Sequence, residues 1–171
     1  MNYQSYQTFY NQCTLPFRSR PRLLKTILII EKICVLAMIS IYTAFCGYAL
    51  LGYGIYWETI LPTVFLPGLC LFVVSVLQKL IARPRPYQET GANIQPLMEK
   101  GRENNSFPSR HTASAFVIGT VLLAYFPWIG ILCFAIGLYI AFVRFLSGMH
   151  YLSDVIAGIL LGVGFGLIAF F

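Results

Sequence analysis

From Thr112 to Val143 the chain runs 32 residues without a charged side chain. About 20 apolar residues cross a bilayer as a helix, so one helix of that length would overshoot the hydrocarbon core by roughly half. The run therefore reads as two helices. They are divided between Tyr125 and Gly130, where a proline and a glycine flank a tryptophan suited to the membrane interface. Ile33 to Trp57, Thr59 to Leu77 and Val155 to Phe171 are further uncharged runs, which brings the count to five spans.

The composition agrees, with 58% hydrophobic and only 11% charged residues. The expected fold is all-α, an integral membrane helical bundle with residues 1–171 in one domain. Residues 1–26 differ in kind, being polar and aromatic and then basic, and they lack the apolar core and small-residue cleavage site of a signal peptide. They are expected to form an interfacial segment, with tyrosines at headgroup level and Arg18, Arg20, Arg22 and Lys25 near lipid phosphates. The net charge of +6 suits anionic lipid. A chain buried in a bilayer is a poor nucleic-acid binder. Five scattered cysteines, four of them inside apolar runs, read as core filler.

Against this background the polar residues gather. The chain has two histidines, His111 and His150, and one aspartate, Asp154. Gln78 to Tyr87 (QKLIARPRPY) ends the second span, Asn104 to Ser114 (NNSFPSRHTAS) begins the third, Arg144 closes the fourth, and His150 with Asp154 opens the fifth. Alternating spans put all four places on one membrane face. An arginine at a span end is by itself an ordinary snorkelling anchor. Several cations around two histidines and one carboxylate describe a pocket for an anion.

Phosphate fits best. Guanidinium groups bind its oxygens in bidentate fashion, and Ser109, Arg110 and His111 stand where a helix N-terminus offers free N–H groups. His150 and Asp154 are one helical turn apart, so the carboxylate can accept from one ring nitrogen and leave the other free to attack phosphorus. His111, from another helix, is then the natural acid for the leaving oxygen and the later base for water.

These residues resemble the type 2 phosphatidic acid phosphatase family. Its pattern is a lysine, six residues and Arg-Pro; then Pro-Ser-Gly-His; then an arginine, five residues, histidine, three residues and aspartate. The third part is complete here as Arg144, His150 and Asp154, and the second stands as Pro108, Ser109, Arg110 and His111. The resemblance, over residues 78–158, implies a nucleophilic His150 that forms a phosphohistidine, Asp154 orienting it, and His111 as general acid. It also implies phosphoryl contacts from Lys79, Arg85, Ser109 and Arg144, with no metal and no cofactor.

Two departures stand out. The family lysine position, counted back from Arg85, is Gln78, and Lys79 lies about 100° further round the helix, so either Lys79 reaches in or Arg83 takes over. Arg110 replaces glycine; it adds a cation and favours a more anionic headgroup such as a diphosphate. The implied activity is that of a small bacterial membrane lipid phosphatase. Its substrate would be a lipid phosphate monoester or diphosphate of the phosphatidylglycerol phosphate, phosphatidic acid or undecaprenyl diphosphate type. A phosphotransferase using the same histidine and a non-catalytic anionic-lipid binder are the alternatives. The family orientation implies a multi-pass protein of the cell membrane with an extracytoplasmic site. The loop from Tyr87 to Asn105 is placed to cover that site.

Overall fold

The structure, a computed structural model, describes residues 3–51, 57–89, 94–98 and 105–171. Among these residues six α-helices follow one another: α1 (Tyr3–Arg18), α2 (Pro21–Leu50), α3 (Trp57–Ile81), α4 (Arg110–Tyr125), α5 (Pro127–Leu146) and α6 (Leu152–Leu167). Helices α2, α3 and α5, and α6 together with the 3₁₀ turn that carries it on to Phe170, are long and apolar enough to cross a membrane. The fourth, α4, has 16 residues and is buried at almost every position from Thr112 to Leu122. A helix apolar on all sides belongs in the middle of a bundle. The chain is an all-helical, multi-pass membrane protein.

The long uncharged run breaks where expected. Helix α4 ends at Tyr125, and Pro127 opens α5, where its missing N–H costs nothing. Trp128 beside it is 84% exposed, as an interfacial anchor should be. The first span differs from expectation, because α2 begins at Pro21 rather than Ile33. Glu31 and Lys32 made that stretch look like a flank. The helix runs through them because Glu31 is buried against a partner on α5.

Closeness between α4 and α6 comes from small residues. Gly158, Gly162 and Gly166 recur every four positions along α6, on one face. A methyl group at Gly158 would lie 2.8 Å from the Ser109 carbonyl, and one at Gly162 would lie 2.5 Å from the Ala113 carbonyl. The absent side chains let the backbones meet, as small-residue stripes do within membranes. The start of α6, which follows His150, is thereby held against the start of α4, which carries His111.

The N-terminal segment is more than an interfacial float. Tyr10 of α1 is fully buried, and its hydroxyl donates to the Leu146 carbonyl at 2.9 Å. Gly148, in the left-handed region at φ +73°, leaves room for that hydroxyl, which would lie 2.6 Å from an added methyl. Arg18 donates to the Gln95 carbonyl. Helix α1 therefore braces the turn that carries His150.

Candidate active site

Each polar segment enters the site from a helix end. At the end of α3 the chain turns through Ala82, whose φ of 46° is unusual for a residue with a side chain, and Arg83 to Arg85 are sent back across the bundle. The Ser106 N–H donates to the Arg83 carbonyl at 3.1 Å, and the Ser109 N–H to the Asp154 carbonyl at 3.0 Å. These bonds join the three motif segments into one unit. Gln78, 4% exposed, donates through its amide to the Pro108 carbonyl at 2.8 Å and holds the loop before α4.

His150 is 3% exposed, and its Nδ1 lies 2.7 Å from the Ser106 carbonyl oxygen. A carbonyl only accepts, so that network assigns the proton to Nδ1 and leaves a lone pair on Nε2. Asp154 stands 3.7 Å from the same Nδ1, within electrostatic reach but beyond a hydrogen bond. The direct contact expected for Asp154 is therefore made by a backbone oxygen, because the carboxylate is engaged elsewhere. It accepts from the Ser106 hydroxyl, from the Tyr151 N–H at 2.8 Å, and from Arg83 at 2.7 Å. Arg83 also donates to Ser153 and lies 4.0 Å above the Tyr151 ring. Burial pushes the His150 pKa below its ordinary value; Asp154 and the Ser106 carbonyl oppose that shift, and Arg85 adds to it. The ring is neutral near pH 7.

The cations separate by partner. Arg85 is buried and donates to the Met149 carbonyl at 3.1 Å. Arg144 is paired with Glu31 at 2.5 Å. Ser109 is fully buried, its hydroxyl 3.0 Å from that of Thr112. Arg110 and His111 face a groove of about 270 Å³ whose other walls, apart from Ser114, are apolar, with Val35, Met38, Leu71 and Ile140 among them. His111 is exposed where it opens on the groove, yet enclosed enough that burial, with the nearby Arg144, His150, Arg110 and Arg85, pushes its pKa well below the usual histidine range. It is the polar head of an oily slot.

Lys79 is exposed on α3, while its neighbour Gln78 faces inward. On a regular helix the two point about 100° apart, and the amide occupies the inward position. Lys79 is thus the one expected phosphate ligand that is not turned toward the cluster. Glu99, Lys100, Arg102 and Glu103, expected in a loop over the site, lie outside the described residues; Glu89 accepts from the Tyr151 hydroxyl at 3.4 Å. Among the described residues, no three His, Cys, Asp or Glu side chains gather as a metal site. Ser106 and Glu31 escaped the sequence reading. An ionisable residue set among apolar ones was the available signal for Glu31; nothing marked Ser106 beyond its place two residues before Pro108.

A family model described as the PAP2 superfamily matches residues 59–171. The bacitracin transport permease protein BcrC of Bacillus licheniformis is 32% identical over 128 residues, a match covering 70% of this chain and 62% of that protein. The chain thus spans less than two thirds of that relative's length. Among solved structures, the transmembrane PAP2-type phosphatidylglycerolphosphate phosphatase of Bacillus subtilis aligns with a TM-score of 0.73 at 21% identity, over 97% of this chain and 83% of that one. Aquifex aeolicus LpxE aligns with a TM-score of 0.65 at 21% identity, over 95% of this chain and 93% of that one. At such identity these two likenesses concern the fold.

Proposed function

The chain belongs to the PAP2 superfamily, and from that premise we propose that it is a membrane lipid phosphatase working through a phosphohistidine, without a metal. The observation that carries this reading is a buried histidine with Nε2 free, set among arginines beside the polar head of an apolar groove. The groove suits an acyl or isoprenoid tail, and its cationic end suits the phosphate or diphosphate joined to it. The orientation implied by the resemblance, with the site on the extracytoplasmic side of the cell membrane, belongs to the same reading.

The chemistry has two halves. Nε2 of His150 attacks phosphorus while the bond to the lipid oxygen breaks and His111 gives that oxygen a proton. Water, deprotonated by His111, then attacks the phosphohistidine, and inorganic phosphate leaves. His111 is neutral in the anion-free site. A bound phosphoryl dianion offsets the field of Arg85, Arg110 and Arg144 and favours the protonated ring that the first half requires.

The test is phosphate release by the purified protein from phosphatidic acid, phosphatidylglycerol phosphate and undecaprenyl diphosphate, in EDTA, with His150→Ala beside the wild type. Release should survive EDTA and fall at least about 10²- to 10⁴-fold in the variant, as expected for loss of the nucleophile. A folded His150→Ala protein with near-normal turnover would overturn the mechanism. Consumption of lipid without free phosphate would mark a phosphotransferase.

A further inference from the structure

Arg144 is held by a residue outside every motif of the site. Glu31 comes from α2, is 1% exposed, and lies 2.5 Å from one terminal nitrogen of the Arg144 guanidinium, itself 12% exposed. The two stand one helical turn from residues of the groove's wall. Val35, one turn after Glu31, and Ile140, one turn before Arg144, both line it, as does His111. Arg144 is also close enough to His111 to contribute to its depressed pKa.

One observation makes this more than a structural clasp. Nε of Arg144 is buried and has no hydrogen-bond partner among the described residues. Buried donors are almost always satisfied, and one left open costs about 1–3 kcal/mol. Glu31 therefore holds one terminal nitrogen of the guanidinium while Nε is left without a partner among the described residues. An arginine binds a phosphoryl group through its planar fork, which is productive only if the plane is set in advance.

We infer that Glu31 is a positioning residue for the phosphoryl-transfer reaction: by holding one terminal nitrogen it fixes the guanidinium plane from which Arg144 binds the phosphoryl oxygens. The inference rests on the phosphatase reading above. Glu31 touches no substrate and acts through Arg144 alone.

The experiment compares Glu31→Ala, Glu31→Gln and Glu31→Asp, each in the wild-type and Arg144→Ala backgrounds, using full-length protein in detergent. It reads kcat and KM for the best lipid of the panel, vanadate Kd by calorimetry, and the thermal unfolding midpoint. Glu31→Ala should lower kcat about 10- to 100-fold, a range typical of outer-shell partners, with KM changed less than about threefold. Vanadate should bind more weakly. Glu31→Asp should restore part of the rate, and none of the three should cost further rate once Arg144 is gone, because residues acting as a unit are not additive.

A folded Glu31→Ala protein with wild-type kcat and vanadate affinity overturns the inference, as does a loss that adds fully to that of Arg144→Ala. Should Glu31→Ala fail to fold, Glu31→Gln decides: it keeps an acceptor and loses the charge, so an unchanged kcat and vanadate Kd overturn the proposal, and a kcat lower by about threefold or more with a raised vanadate Kd supports it. If the wild type releases no phosphate, the phosphatase reading fails. The vanadate comparison between wild type and variants still tests Glu31.

Discussion

Two ion pairs brace the polar end of the bundle, and they live in different media. Arg83 and Asp154 join the loop after α3 to the start of α6, with the arginine side chain 35% exposed and stacked over Tyr151. Arg144 and Glu31 join α5 to α2 with both partners nearly dry. An exposed partner can be replaced in part by water, so its pairing contributes little beyond about 1 kcal/mol. A buried pair cannot be opened cheaply, since removing one member strands the other and costs about 3–5 kcal/mol. Asp154 is the exception within the wetter pair, because it is fully buried and also serves Ser106, Tyr151 and the field around His150.

The largest effect expected along that comparison is at Asp154. Asp154→Asn keeps the shape but removes the charge beside His150, and turnover should fall about 10²- to 10⁴-fold. The acid limb of kcat/KM provides a second signature. Burial already holds the His150 pKa below its ordinary value while Asp154 pulls it upward. Removing that pull lowers the pKa further, so the neutral ring persists to lower pH and the limb should move down. A limb that moves up would show that Asp154 does not act on His150 in this way.

The spacing of α4 and α6 comes next. Gly162→Ala inserts a methyl 2.5 Å from the Ala113 carbonyl and 2.8 Å from the Phe116 Cβ, so the helices must part. Overpacking of this kind costs about 1–3 kcal/mol, to be read as a lower unfolding midpoint together with lost turnover. An unchanged midpoint would mean that the contact is softer than the distances imply. Arg83→Ala should cost less in rate, about tenfold, because Asp154 keeps its other donors and water can approach. If it costs as much as Asp154→Asn, exposure is the wrong basis for telling the two pairs apart. Smallest of all, Lys79→Ala should change kcat/KM less than about threefold, as an exposed side chain turned away from the cluster should.

Much of this was legible in the chain. The uncharged runs, with Pro127 marking the division of the longest, specify an all-helical membrane bundle, because a bilayer leaves the backbone little alternative. Alternating spans then bring Arg85, Ser109, His111, Arg144, His150 and Asp154 to one end whatever the packing details. Charge patterning misled at α2, where Glu31 and Lys32 looked like a flank. A sequence window prices a charge as if it were alone, and Glu31 is not alone.

What the sequence by itself determined is the fold class, the shared face and the residue types of the site, since those follow from hydropathy, period and chain alternation. Only the tertiary structure decided which atom meets which. It set the Ser106 carbonyl rather than Asp154 against His150, turned Gln78 inward and Lys79 outward, and paired Arg144 with an acid 113 residues away. The physical reason is range: hydropathy acts over whole helices, while a hydrogen bond is won or lost within about half an ångström, by contacts between segments far apart in the chain.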